Sequence, residues 1–333
     1  MPKMVLLFVL LLAGTLLGAW EVGELNRTYV DPSRDNRQIP TLVYYPLQPA
    51  GSSAREAFPV IVFGHGWLSA VSTYAWLKDE FVSSGWIMAF PTTEGGLFPS
   101  HGDFALDLDF VRGSVLAEND NADSELFGSV APFSVLMGHS MGGGASVLAA
   151  SSNAADALVT LAAAETSPSA ISAAVQVAIP SLTLSGAEDW VAPPANHQQP
   201  IYANLASIYK SYLSFAGIGH SDIYTNVLVF DLICAWLDFA RSSGDGELDY
   251  YSTLLEQNPA AQSGNHEGYM FAGMGGDGIL SWPKFPGALS YNVHRATDPF
   301  ADFALVGNTS QQSWLDPDFP QSRAFYKVTA VSP

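Results

Sequence analysis

Seven short apolar runs between residues 41 and 215 carry no charge at all: Thr41–Tyr45, Pro59–Phe63, Trp86–Phe90, Phe133–Met137, Leu158–Ala164, Ser181–Leu184 and Tyr212–Phe215. A strand with one wet face alternates apolar and polar residues. A strand that is apolar on both faces is buried on both, which a parallel sheet covered by helices provides. Segments with helical apolar spacing lie between the runs, at Ser72–Ser84, Phe104–Ala117, Gly143–Ser152, Pro194–Ile208 and Ser221–Arg241. The alternation predicts an α/β fold over residues 20–243, with a mostly parallel central sheet and helices on both faces. Past Arg241 the texture changes. Ser242-Ser-Gly-Asp-Gly246 reads as a linker, and residues 244–333 hold 10 Gly, 7 Pro and 13 aromatics without a long periodic segment. A loop-rich C-terminal extension is the expectation there.

The front of the chain has the order of a secretory signal peptide. Lys3 precedes an uncharged run from Met4 to Trp20, the apolar centre is Val5–Leu12, and Gly18-Ala19 supplies the small residues of a cleavage region. Residues 1–19 are therefore expected to be removed, in a protein that is extracellular or lies in the endomembrane lumen. The run is short for a span of about 20 residues, so no stable membrane span is expected after cleavage; an uncleaved anchor is the alternative. The sequons Asn26-Arg-Thr and Asn308-Thr-Ser are possible glycosylation sites in that setting. Thirteen basic against 32 acidic residues give a formal charge of −19, which repels phosphate backbones and excludes a nucleic-acid partner. The single cysteine, Cys234, forbids an intrachain disulfide and a thiolate metal cluster, and its apolar neighbours make it a packed helix residue.

The chemistry-bearing residues follow the apolar runs. Gly138-His139-Ser140-Met141-Gly142 fits G-x-S-x-G, directly after one run and before a small-residue helix. That context makes Ser140 a nucleophile presented on a strained strand-to-helix turn. A serine needs a histidine base, itself oriented by a carboxylate. Ser185-Gly-Ala-Glu188-Asp189-Trp190-Val191 places an acid just past a run, and Gly217-Ile-Gly-His220 places a histidine past the last one. Asp189 and His220 complete the predicted triad; Glu188 is the alternative acid, one residue away. Two oxyanion donors are expected from the backbone N–H groups of Met141 and of Trp67, in the loop Gly64-His65-Gly66-Trp67. His65, His139, Glu165, Trp190 and Val191 are expected along the substrate cleft. His101, His197, His266 and His294 read as surface or packing residues, and no histidine pair has metal spacing, so neither metal nor cofactor is expected. Gly273-Met-Gly-Gly-Asp-Gly278 fits G-x-G-x-x-G but is a loop pattern, because Pro283 leaves no room for the helix a dinucleotide would need.

With Gly64-His-Gly-Trp67, Gly138-His-Ser-Met-Gly-Gly-Gly144, Gly186-Ala-Glu-Asp189 with Pro193, and Gly219-His220, the chain from about Arg37 to Arg241 resembles the α/β-hydrolases. Within that superfamily it is similar to the branch of dienelactone-hydrolase-like enzymes, platelet-activating-factor acetylhydrolases, chlorophyllases and cutinase-like polyester hydrolases. With the signal segment it implies a secreted serine carboxylic-ester hydrolase; the resemblance itself implies catalysis through an acyl-enzyme on a small apolar or lipid-like ester. It also implies, for the polyester branch, a tryptophan in the loop after the strand that follows the elbow helix, and disulfides. Here that loop reads Ala162-Ala-Ala-Glu165, an acid in place of an aromatic platform, and one cysteine cannot form a disulfide. Both departures point away from polymer substrates. The rival reading is a binding or adhesion module on a hydrolase fold; such a module usually lacks a triad residue, and all three are present here. The C-terminal extension could also act as a lid.

Overall fold

The computed structural model describes residues 19–48, 55–207 and 210–242, and beyond these 269–270, 273–274, 279–282, 288–297, 303–317 and 324–331. The expected signal segment apart from Ala19, the linker past Ser242, and His266 lie outside the described residues. Eight strands form one sheet: β1 Glu21–Asp31, β2 Arg37–Leu47, β3 Phe58–Gly64, β4 Ile87–Pro91, β5 Val130–His139, β6 Ala157–Leu161, β7 Ser181–Gly186 and β8 Lys210–Phe215. Their order is β1-β2-β4-β3-β5-β6-β7-β8. Only β1 with β2 and β2 with β4 run antiparallel; every other neighbour is parallel. The helices are α1 Ala75–Ser83, α2 His101–Ala117, α3 Met141–Ala150, α4 Ala170–Ala173, α5 Gln198–Asn204 and α6 Val227–Ser242. All seven residues of β3 are buried, as an uncharged central strand requires.

Each face of the sheet carries its own apolar cluster. One gathers Phe63, Phe81, Phe90 and Trp236 under α1 and α6. The other gathers Phe104, Leu108, Val111 and Leu136 under α2 and α3. Helix α2 shows why its sequence folds so: Phe104, Leu108, Val111 and Val115 fall at helical spacing and are buried, while Ser100 caps the N-terminus by accepting from the Asp103 N–H at 3.3 Å. Its one buried charge, Asp107, is met by Arg34 and Arg37, with Nη2 atoms at 2.6 and 2.7 Å, which fastens the β1–β2 hairpin to α2.

Three expectations need correction. Strand β1 has no counterpart among the uncharged runs, because it is an edge strand with Glu21, Glu24 and Asn26 exposed. The helical segment expected from Ser221 begins only at Val227. The C-terminal extension is not simply loop-rich. Its described residues form a four-stranded antiparallel sheet and a three-stranded one, ordered β13-β12-β15-β9 and β10-β11-β14. The strands are β9 Tyr269–Met270, β10 Gly273–Met274, β11 Ile279–Ser281, β12 Ser290–Ala296, β13 Ala304–Thr309, β14 Ser313–Leu315 and β15 Phe325–Val331. Leu280, Tyr291, Val293 and Val328 from these strands, with Trp282 just past β11, join the apolar cluster that includes Trp236 and Leu237 of α6. The glycine-rich run at 273–278 leads from β10 into strand β11, not into a helix, and Gly273 pairs with Ser281.

Candidate active site

The carboxyl ends of β5, β7 and β8 carry the three expected groups. Ser140 sits between β5 and α3 at φ 55°, ψ −121°, a conformation that an L-residue holds only under strain. The strain is imposed from below. A Cβ at Gly142 would collide with the Gly64 carbonyl, and one at Gly138 with the Gly142 carbonyl, so β3, β5 and α3 meet backbone to backbone. The carbonyl of Ser140 accepts from the Gly144 and Ala164 N–H groups at 3.1 and 2.9 Å, which fixes the turn from both sides.

Asp189 is buried and its carboxylate is saturated. Oδ1 accepts from the Val191 and Ala192 N–H groups at 2.9 and 2.8 Å, and Oδ2 accepts from His220 Nδ1 at 2.7 Å. Glu188 is exposed, and among the described residues its carboxylate takes only the Gly217 N–H at 3.2 Å. His220 pairs with Asp189, and its ring lies 4.7 Å from that of His139, the residue before Ser140. With Nδ1 donating to the carboxylate, Nε2 is the ring nitrogen left to receive a proton.

The two expected oxyanion donors are backbone N–H groups. Met141 is the first residue of α3, where a helix supplies no acceptor for its N–H. Trp67 is the second residue of a turn closed by the Ser69 N–H on the Gly66 carbonyl at 3.0 Å, and Leu68 follows it at φ 55°. The Trp67 indole donates to the Leu97 carbonyl at 3.2 Å, tying this turn to the neighbouring loop.

The cleft expectations divide. Trp190 and Val191 are exposed, Trp190 by 85%. His65 and His139 are instead buried. His65 sits within 2.9 Å of the Gly66 and Thr93 carbonyls and packs on Phe104. His139 contacts Tyr74 and the His220 carbonyl. Glu165 is half-buried and committed: its Oε2 accepts from the Ile171 N–H at 3.0 Å, and its own N–H donates to His197 Nδ1 at 2.9 Å. His101 likewise accepts from the Ser167 N–H at 3.0 Å. Sequence reasoning missed Gln198, whose Nε2 donates to the carbonyls of Ala163 and Ala192 and so joins the acid loop to the loop after β6. It also missed Leu97 and Phe98, the latter 96% exposed; an apolar pair inside Gly95-Gly-Leu-Phe-Pro99 was the available signal.

Burial first, and then the charge of His220, push the His139 pKa from 6.5 down to about 4. The unfolded chain therefore binds a proton between these values that the folded chain refuses. Stability must fall as pH drops through that window, by roughly 1.4 kcal/mol per unit and about 3 kcal/mol in total. Urea unfolding of wild type and His139→Asn, from neutral pH down to about pH 4, should show the difference between them shrinking with acid. A difference that stays constant would remove His139 as the cause. Burial in α6, and then Asp238, Asp231 and Glu80, push the Cys234 thiol far up, which leaves it a poor nucleophile.

Among the described residues no three His, Cys, Asp or Glu side chains gather as a metal set, and no helix is long and apolar enough to cross a membrane. The sheet order, the strained serine between β5 and α3, and the acid and histidine after β7 and β8 define an α/β-hydrolase. Residues 39–269 match the family described as PETase, PET hydrolase-like, and the chain belongs to that family. It is also 27% identical over 207 residues to the bis(hydroxyethyl) terephthalate hydrolase of Streptomyces coelicolor. That alignment covers 59% of this chain and 60% of the relative, so the chain spans less than two thirds of that protein's length.

Proposed function

We propose that this protein is an exported carboxylic ester hydrolase that works through a serine acyl-enzyme on apolar esters, aromatic diesters among them. The observation that carries the reading is the 2.7 Å Asp189–His220 pair beside a serine held on a strained elbow. Ser140 Oγ attacks the ester carbonyl while His220 Nε2 takes its proton. Asp189 holds the ring in the tautomer that can do so and stabilises the imidazolium that forms. The Trp67 and Met141 N–H groups receive the developing oxyanion. His220 then protonates the departing alcohol, and water, activated by the same nitrogen, releases the acid.

Substrate class follows from the exposed loops. Trp67, Leu68, Leu97, Phe98, Trp190 and Val191 are all exposed in the loops that follow β3, β4 and β7, and exposed apolar side chains favour an apolar ester. The family and the terephthalate diester in the relative's name favour an aromatic acyl group. No aromatic platform stands at Glu165, whose carboxylate caps α4; Trp67 and Trp190 are the indoles available to stack on a ring. Export rests on the order of charge and apolarity in residues 1–19.

One preparation tests these points together. Protein recovered from the medium of an expressing culture should begin near Trp20. A fluorophosphonate should label it at Ser140, as read by peptide mapping. It should hydrolyse bis(hydroxyethyl) terephthalate and medium-chain p-nitrophenyl esters. Folded protein that takes no label and hydrolyses no ester would sink the hydrolase reading.

A further inference from the structure

We infer that Tyr74 and His139 form a buried positioning relay that holds the oxyanion loop and the general-base loop in register; this rests on the hydrolase reading above. Tyr74 is fully buried and His139 nearly so, and neither side chain takes part in the chemistry as described. The Gly66 N–H, next to the expected Trp67 donor, donates to Tyr74 Oη at 2.8 Å. Tyr74 Oη lies 3.1 Å from His139 Nδ1, and His139 Nε2 lies 3.0 Å from the carbonyl of His220. Three bonds thus run from the loop that binds the oxyanion to the backbone of the base.

The proton positions follow from valence alone. A backbone carbonyl only accepts, so His139 Nε2 carries the hydrogen and donates it to the His220 carbonyl. In the neutral ring Nδ1 is then bare and can only accept. Tyr74 therefore donates its hydroxyl hydrogen to Nδ1 and accepts the Gly66 N–H on oxygen, with the Ser69 hydroxyl as a second donor to that oxygen. Every polar atom of the chain then has a partner, as a buried polar chain demands. Tyr224 packs on both rings, 5.0 Å from Tyr74 and 4.8 Å from His139, and blocks other rotamers. A Cβ at Gly66 would lie 3.1 to 3.2 Å from Tyr74 Oη and His139 Nδ1, so the glycine keeps the relay's space open.

The arrangement serves the reaction twice. It sets the backbone of Gly66 and of His220 by one chain of bonds, so the oxyanion donor and the proton acceptor keep a fixed separation. It also occupies Nδ1 of His139 with a donor. With burial disfavouring a second charge there, the ring 4.7 Å from His220 stays neutral while His220 itself becomes an imidazolium.

The test compares Tyr74→Phe, His139→Gln and the double variant with wild type. The glutamine keeps a donor for the His220 carbonyl and loses the bond to Tyr74. The rate is expressed per serine titrated with a fluorophosphonate, so misfolded protein is not counted. Each single variant is expected to lower kcat by about tenfold with KM within about twofold, the signature of an interaction felt in the transition state. Because both break the same bond, the double variant should fall well short of the hundredfold product. The relay is overturned if kcat per titrated serine is unchanged, as a purely structural pair would leave it, or if the two effects multiply. If one single variant does not fold, His139→Asn, which keeps the Tyr74 bond and drops the His220 one, must show the same selective loss of kcat, and an unchanged kcat there also overturns it. Wild type that turns over no ester removes the hydrolase reading and the relay with it; wild-type turnover with unmoved variants removes the relay alone.

Discussion

Ser140→Ala is expected to lower kcat on any ester the wild type hydrolyses by ~10⁶-fold, leaving only what the oxyanion donors and binding contribute. The sole thiol, Cys234, offers no substitute nucleophile, since it lies in α6 with its thiol held protonated. The fold should survive, because the elbow is shaped by the contact of Gly64, Gly138 and Gly142 rather than by the serine hydroxyl. A companion variant separates strain from chemistry. Ser140 sits at φ 55°, where glycine loses nothing, so Ser140→Gly should be as inactive as the alanine variant yet more stable than wild type by about 1 kcal/mol. Steady-state kinetics with urea unfolding reads both quantities. Residual turnover within a hundredfold of wild type in either variant, on the order of what a displaced auxiliary group would cost, would place the nucleophile elsewhere.

What was legible in the sequence was whatever a single period or a fixed turn dictates. Pro59–Phe63 and Phe133–Met137 read as central strands because burial on both faces leaves no polar position, and both are strands in the sheet. The elbow was legible because its glycines are spaced by the geometry of close backbone approach. Strand β1 was not, since an edge strand with one solvated face mixes Glu24 and Arg27 with Leu25 and carries little periodicity. Its hairpin did leave a sign: Asp35 and Asn36 both sit at positive φ, the residue types that tolerate it best. In the C-terminal strands the alternation Tyr291, Val293 was present but short, and its neighbours Pro283, Pro286 and Gly287 read as loop. His65 and His139 were placed in the cleft because sequence puts them beside the reacting groups. It does not say on which side of the backbone a ring lies, and the structure turns both inward, onto Thr93 and Tyr74.

The choice between two adjacent acids was beyond the sequence, and it yields the second large effect. Asp189→Asn is expected to lower kcat by ~10⁴-fold, whereas Glu188→Gln should stay within about twofold. The difference lies in what each carboxylate touches. Glu188 is exposed and takes one N–H, from Gly217, a bond that an amide oxygen can keep. Both oxygens of Asp189 face donors: Val191 and Ala192 N–H on one, His220 Nδ1–H on the other. An asparagine offers one oxygen and one NH2. If its NH2 faced the two backbone N–H groups, two donors would be left buried without an acceptor, so the oxygen must go there and the NH2 must face His220. Donor would then meet donor unless the ring moves its proton to Nε2. In that tautomer Nδ1 accepts from the asparagine, and Nε2, already protonated, cannot take the proton of Ser140. The variant should therefore fold, bind substrate with nearly unchanged KM, and react slowly with a fluorophosphonate. Rates of labelling and of turnover for the two variants decide the matter: if Glu188→Gln suffers the large loss and Asp189→Asn does not, the carboxylate that orients His220 during turnover is the exposed one, and the 2.7 Å pair is a resting arrangement only.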